Sequence, residues 1–361
     1  MVSDNDSTAS WKKLLIVRLG SMGDIVHTLT AATALRQAFP QALIGWVIEE
    51  RWAELLCTLP TPRSGPPSPE RPLVDKVHTV DTRRWRKAPF STQTWEQMAA
   101  GLSELRAPDY EVAVDFQGAI RSSLIARWSG AAKTYGFMQP WENAASMLYS
   151  RRAIARGEHI VEQNLSLAEA VARMPLAVPR VQFPRSDAAE RECECWLRQN
   201  GLGKFAVLNP GAGWGAKQWP AEYYGEVSRQ LAADGVKSII NYGPGEEELA
   251  RSVEEAARGG ATGVSASLTR LISLTRRASL FVGGDTGPMH LAAALGVPVV
   301  AIFGPTNPAR NGPFGTRSAV LRSPASSTSH KRVSAPDPGL LEISPAQVVS
   351  AARELLRGCG G

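Results

Sequence analysis

Three groups of residues could do chemistry, and each stands just after an apolar run. The first is Ser21-Met22-Gly23-Asp24-Ile25-Val26-His27, where a carboxylate meets a glycine turn. The second is Pro210 to Pro220, glycine-rich with one cation, Lys217. The third is Gly283-Gly284-Asp285-Thr286-Gly287-Pro288-Met289-His290. A glycine turn opening a helix presents unpaired N–H groups at the positive end of a helix dipole, which suits a phosphate or diphosphate. Asp285 sits awkwardly there, because a carboxylate repels phosphate; it serves equally as a cap for the first turn. Asp24 has two readings as well: a carboxylate favoured by a helix start, or a general base at the mouth of a sheet.

The elements around these groups alternate. Leu14-Leu15-Ile16-Val17, Leu43 to Ile48, Lys76 to Val80 and Val112 to Asp115 read as buried strands, with helices between them. After the prolines of 175–184 the alternation resumes with strands at Phe205 to Asn209, Ser238 to Tyr242, Ser279 to Val282 and Pro298 to Phe303. Two parallel sheets, each covered by helices, follow from this pattern. The expected domains are residues 1–174, residues 185–343, and a closing helix within 344–361 that returns to the first domain. Thr61 to Pro72 is expected to be an exposed loop, and Ser323 to Ser329 has no assigned role. Open sheets of this kind bind ligands at the carboxyl ends of their strands. Gln117, after the strand ending at Asp115, and Glu246, after the strand ending at Tyr242, stand at that edge. So does the densest basic run, Arg83-Arg84-Trp85-Arg86-Lys87. Such a run is commonly a solvated face; at a strand end it can also clamp a phosphate or carboxylate.

Composition narrows the classes. The chain has 361 residues, 43% of them hydrophobic and 20% charged, which is enough for two cores and unlike a disordered protein. The net charge of +6 is spread over both halves, so partners must be read from local clusters. Four cysteines, Cys57, Cys193, Cys195 and Cys359, fit neither zinc-finger spacing nor a disulfide framework. The polar, acidic first eleven residues lack the features of a signal peptide, and no apolar run reaches the length of a membrane span. A soluble cytoplasmic protein is expected.

Taken together and in order, the motifs Ser21 to Thr28, Asp115-Phe116-Gln117-Gly118, Lys217-Gln218-Trp219-Pro220, Asp285 to His290 and Gly304-Pro305-Thr306 resemble the ADP-heptose:lipopolysaccharide heptosyltransferase family. Trp46 to Glu50 and Arg83 to Lys87 are most similar to the heptosyltransferase I branch. The resemblance departs at Gly211 to Gly215, where the family can carry Thr and charged residues. It implies a GT-B glycosyltransferase, an α/β fold of two Rossmann-like domains facing across a cleft that closes on substrate. It also implies inverting transfer of L-glycero-D-manno-heptose from ADP-heptose to a Kdo hydroxyl of Kdo-lipid A, with no metal and no cofactor. By the same resemblance Asp24 is the base. Lys217, Glu246, Asp285, Thr286, Gly287 and His290 address the donor, Glu246 at its ribose. Ser21, Met22, Gly23, Arg83, Arg84, Arg86, Lys87 and Gln117 address the acceptor. His27 and His290 read equally as packed, hydrogen-bonded histidines. The implied setting is the inner face of the cytoplasmic membrane, without nucleic acid, with a monomer as the expected state. Two alternatives stand beside this: another sugar-nucleotide transferase of the same fold, such as a later heptosyltransferase, and a non-catalytic nucleotide-binding module.

Overall fold

The computed structural model describes residues 9–88, 90–329 and 335–358. Residues 1–8 and Cys359 therefore lie outside the described residues. The chain divides into two compact units, Met1–Pro184 and Arg185–Gly361.

In the first unit the order is β1 (Lys13–Val17), α1 (Met22–Ala38), β2 (Leu43–Glu49), β3 (Lys76–Val80), α2 (Thr82–Lys87), α3 (Thr92–Arg106), β4 (Val112–Asp115), α4 (Ile120–Trp128), β5 (Lys133–Phe137), β6 (Arg151–Ala153) and α5 (Ile160–Ala172). The strands form one sheet in the order β3-β2-β1-β4-β5-β6. Every pairing is parallel. Leu14, Leu15, Ile16 and Val17 are fully buried, as a central strand covered on both faces requires.

The second unit runs α6 (Asp187–Gln199), β7 (Phe205–Asn209), α7 (Ala221–Ala233), β8 (Lys237–Tyr242), α8 (Glu247–Ala257), β9 (Ala261–Ser265), α9 (Leu268–Arg277), β10 (Leu280–Gly284), α10 (Gly287–Ala294), β11 (Val299–Phe303), α11 (Pro308–Asn311), β12 (Ser318–Arg322), α12 (Pro338–Leu341) and α13 (Pro345–Arg357). Its parallel sheet has the order β12-β11-β10-β7-β8-β9. Counted from the first strand of each unit, the two orders are the same, with the reversal between the first and fourth strands. Side-chain alternation divides the second core in two. Leu280 and Val282 pack with Val227, Leu231 and Val349, while Phe281 packs with Met289, Val299 and Cys193 on the other face.

One sequence expectation changes and two gain detail. The closing helix α13 is built into the second unit: Val348, Val349, Ala352 and Leu355 are part of its core. The reason is its apolar stripe, completed by the Trp219 indole N–H bonding to the carbonyl of Ile343 just before the helix (3.0 Å). The Pro-rich loop is exposed along most of its length, yet it is pinned by buried Arg71, which donates to the carbonyls of Pro62, Pro66 and Val74. The basic run Thr82–Lys87 is a short helix capped by Asp81, which accepts from the Arg84 amide (2.9 Å). The Ser-rich segment also gains a place. Ser329 N donates to Pro305 O (2.8 Å) and Ser326 Oγ to Asp337 (2.7 Å), so it folds over the Gly304–Thr306 turn.

Replacing fully buried Val348 by Asp puts an unpaired carboxylate into the second core. We expect a loss on the order of 3 kcal/mol, seen as a lower Tm in thermal unfolding followed by circular dichroism.

Candidate active site

In each unit the chemistry-bearing residues gather at the carboxyl edge beside the reversal of strand order, where crossover helices diverge to opposite faces and leave a crevice. In the first unit that point lies between β1 and β4. Asp24 is in the first turn of α1, whose N-cap is Ser21. Its Oδ2 accepts from the Ser21 amide (3.0 Å) and hydroxyl (2.9 Å), and its Oδ1 meets Arg18 Nη2 at 2.7 Å. The capping reading is therefore realised in the structure. The carboxylate nonetheless stays 41% exposed, so it is held in place and still reachable.

Arg18 was not singled out by its sequence, and the structure makes it central. It is buried at the end of β1, donates to Phe116 O at the end of β4, and pairs with Asp24. Gln117 Oε1 accepts from the Leu19 amide (2.9 Å), which ties the same two strand ends together. Beneath them Asp115 is fully buried, and no cation among the described residues pairs with it. It accepts from the Gln117 and Gly118 amides, Ser122 Oγ (2.8 Å) and Tyr149 OH (2.7 Å). Burial pushes its carboxyl up from the usual range, and those four donors only partly offset the rise. Tyr149 reaches Asp115 past Gly136, where a Cβ would come within 2.2 Å of the phenol ring. No sequence signal marks Tyr149, which lies 34 residues from its partner.

Other expected acceptor residues separate. Met22 and Gly23 are buried, and the Met22 side chain is part of the hydrophobic core. Arg83, Arg84 and Lys87 are exposed on α2; the side chain of Arg86 lies outside the described residues. His27 is buried and packs edge-on to His159 (5.7 Å between ring centroids), consistent with a packed histidine.

In the second unit the reversal lies between β7 and β10. Asp285, directly after β10, is buried between Lys217 Nζ (2.7 Å) and His290 Nε2 (3.0 Å). Lys217 also donates to the Asp285 carbonyl (3.1 Å). Burial alone would raise this carboxyl; the His290 hydrogen bond and charge, with the Lys217 ammonium, reverse that and hold it well below the usual carboxylate range. The awkward carboxylate is thus neutralised inside the loop. Lys217 and His290 are joined to it rather than projecting singly. Thr286 caps α10, the Met289 and His290 amides turn back to Thr286 O, and Pro288 brings no N–H to the first turn. Glu246 caps α8, and its Oε2 accepts from the Gly243 amide (2.8 Å). Its carboxylate lies over Gly211, where a Cβ would come within 2.3 Å, so the glycine there makes room for it. Glu247 instead accepts from Gly245 N at the exposed start of the helix. Buried Asn241 and Asn209, bonded to each other (2.6 Å) and onward to Gly211 O (2.9 Å), fix this loop; sequence reasoning passed over both.

The profile described as glycosyltransferase family 9 (heptosyltransferase) matches residues 98–337. The chain belongs to this family. It is 32% identical to lipopolysaccharide heptosyltransferase 1 of Escherichia coli K12, over 86% of this chain and 94% of that protein. It is 30% identical to lipopolysaccharide heptosyltransferase 1 of Pseudomonas aeruginosa, over 86% and 84%. Among solved structures, E. coli heptosyltransferase WaaC with ADP superposes with a TM-score of 0.76 at 28% identity, covering 95% of this chain and 99% of that one. The two doubly wound units are those of the GT-B architecture, and the family's activity makes the chain a glycosyltransferase. The matched span holds Gln117, Lys217, Glu246 and the Asp285–His290 turn.

Lys217→Met strands the buried Asp285 carboxylate with His290 alone and should cost about 3 kcal/mol. A second expectation concerns acid. Asp285 titrates in the folded chain below its ordinary 3.8, so it contributes stability that is present above that pH and is lost as pH falls toward the folded value. The stability difference between wild type and Asp285→Asn, from urea unfolding at several pH values, should be constant above about pH 5 and shrink below pH 4. A difference that grows in acid would contradict the ion-pair account.

Proposed function

We propose that the protein transfers L-glycero-D-manno-heptose from ADP-heptose to a Kdo hydroxyl of Kdo-lipid A, with inversion, in assembly of the lipopolysaccharide inner core. The observation that carries this reading is the division of chemistry between the two strand-order reversals. One holds a fixed, part-exposed carboxylate, with exposed arginines and a lysine after β3 on the same sheet edge. The other holds a charge-balanced glycine turn at a helix start, with a second carboxylate one strand away. The relatives called lipopolysaccharide heptosyltransferase 1 and the ADP-bound WaaC structure support the same donor and pathway.

In this mechanism Asp24 takes the proton of the acceptor hydroxyl as its oxygen attacks the anomeric carbon. The bond to ADP breaks on the opposite face, so one base suffices. Ser21 and Arg18 hold two sides of the carboxylate and leave its exposed side for the hydroxyl. The departing diphosphate is met by the amides of Thr286 and Gly287 and by the positive end of α10. Lys217 adds positive charge from its anchored position, and Asp285 and His290 keep the turn in register. Glu246 accepts from the ribose hydroxyls, as a carboxylate at this edge of a Rossmann-like unit does. Arg83, Arg84, Arg86 and Lys87, with Ser21, Gly23 and Gln117, receive the anionic acceptor. This charge also suits work at the inner face of the cytoplasmic membrane, and no described helix is long and apolar enough to cross it. We further propose a monomer that needs no metal, because the helix end and Lys217 supply the charge a cation would bring.

Asp24→Asn keeps the cap's shape and removes the base. It should lower kcat by at least about 10²- to 10⁴-fold while ADP binding by calorimetry stays within about twofold. Normal turnover by this variant would remove Asp24 from the reaction. Transfer should also continue undiminished in EDTA, assayed with a panel of ADP- and UDP-sugars and Kdo-lipid A. Turnover of a donor other than ADP-heptose would move the protein to a different reaction of the same fold.

A further inference from the structure

The acceptor edge of the first unit carries two arginines that the reading above leaves unused. Arg51 directly follows the end of β2, in the 3-10 turn Glu50–Leu55, and is exposed. Its guanidinium lies over the Trp52 ring at 4.7 Å. The Trp52 indole in turn lies against Gly20, where a Cβ would come within 3.1 Å of its Nε1. Gly20 immediately precedes the Ser21–Asp24 turn, so Arg51 is seated on the flank of that turn. On the other side Arg121 stands exposed in the first turn of α4, after β4. Because the sheet order is β3-β2-β1-β4, the loop after β1 that carries Asp24 lies between these two strand ends. Arg83, after β3, extends the row.

The acids of this edge are already engaged. Glu49 accepts from Thr82 Oγ1, Asp81 from the Arg84 amide, Glu142 from the Ile120 amide (2.7 Å), and Asp24 from Ser21 and Arg18. Among the described residues no salt bridge is formed by Arg51, Arg83 or Arg121. Partial desolvation of its head group lowers the pKa of Arg51, and the charges of Arg83 and Arg121 lower it further against the opposing pull of Glu49 and Asp81. Three like charges therefore share the carboxyl edge across β3, β2, β1 and β4, where the N-terminal ends of α1 and α4 add to the positive potential. Such an arrangement is unfavourable in the free chain and is relieved by a bound anion. A guanidinium stacked on an indole keeps its fork in a fixed plane, which suits a carboxylate or phosphate.

We propose that Arg51 and Arg121, on either side of the Asp24 turn, form an anion subsite for the acceptor, additional to the Arg83–Lys87 run. This rests on the transferase reading above. The two sources of the anion are a sugar carboxylate beside the reacting hydroxyl and a phosphate farther along the acceptor.

Arg51→Gln and Arg121→Gln are tested singly and together in the full chain, with Arg127→Gln, exposed at the far end of α4, as control. Each single change should raise the acceptor KM about five- to tenfold, and the pair more, with ADP affinity unchanged. Arg51→Lys should recover part of the loss, since it keeps charge without the fork. Repeating the assay with an acceptor stripped of phosphates separates the sources: a persisting penalty assigns the carboxylate, a vanishing one the phosphate. An acceptor KM that matches wild type in both single variants and in the double variant overturns the subsite. If wild type neither binds nor glycosylates this acceptor, the transferase reading itself fails. The arginine pair is then read by titrating inorganic phosphate with ADP saturating: at least threefold weaker binding in the double variant supports it, and equal binding rejects it.

Discussion

A parallel sheet whose crossovers reverse direction at its centre cannot close over its own carboxyl edge. At the reversal, one helix leaves toward one face and its neighbour toward the other, and two strand ends stand side by side with no chain above them. Both units of this protein are built on that constraint, with the same strand order. Each places its glycine turns and carboxylates there: Asp24 with Gln117 after β1 and β4, and Gly211 with Asp285 after β7 and β10. The crevice is a consequence of topology, and the side chains determine what each one is for.

The two edges handle a carboxylate in opposite ways. In the second unit Asp285 is buried, doubly partnered and held in its charged form, so that its negative charge is cancelled inside the turn. In the first unit Asp24 is tethered by Ser21 and Arg18 and stays 41% exposed. A residue that only organises a loop can be sealed in; the base role proposed for Asp24 requires a face that stays accessible. Exposure separates the two more clearly than residue type, which is the same in both. Arg18 shows how the open carboxylate avoids mobility: a buried guanidinium gives it a fixed counterpart while Phe116 O holds the guanidinium from the other strand.

Much of this was legible in the chain. Strands such as Leu14 to Val17 and Phe205 to Asn209 are buried on both faces, and only apolar residues satisfy that position. Of the four edge strands, each with one neighbour, β6, β9 and β12 carry Arg151-Arg152, Gly263 or Arg322, so no apolar run announces them. The turns carrying Asp24 and Asp285 could be found because strand, glycine and helix are contiguous there. Their partners could not: Arg18 meets Phe116 across 98 residues, and Lys217 meets Asp285 across 68. The closing helix was misplaced for a related reason. Its apolar stripe says that it packs, and nothing local says on what.

One small feature has a long reach through the family. Tyr149 donates to buried Asp115 only because position 136 carries no side chain. Asp115 in turn holds the turn whose glutamine grips the loop of Asp24. Positions 136, 149 and 115 are therefore not free to drift separately over evolutionary time. In a relative that acquires a side chain at the first, the second must have shortened or moved, and the buried acid must have found another donor or become neutral. The three positions should covary as a set among homologous chains, independently of which sugar or acceptor those chains have come to use.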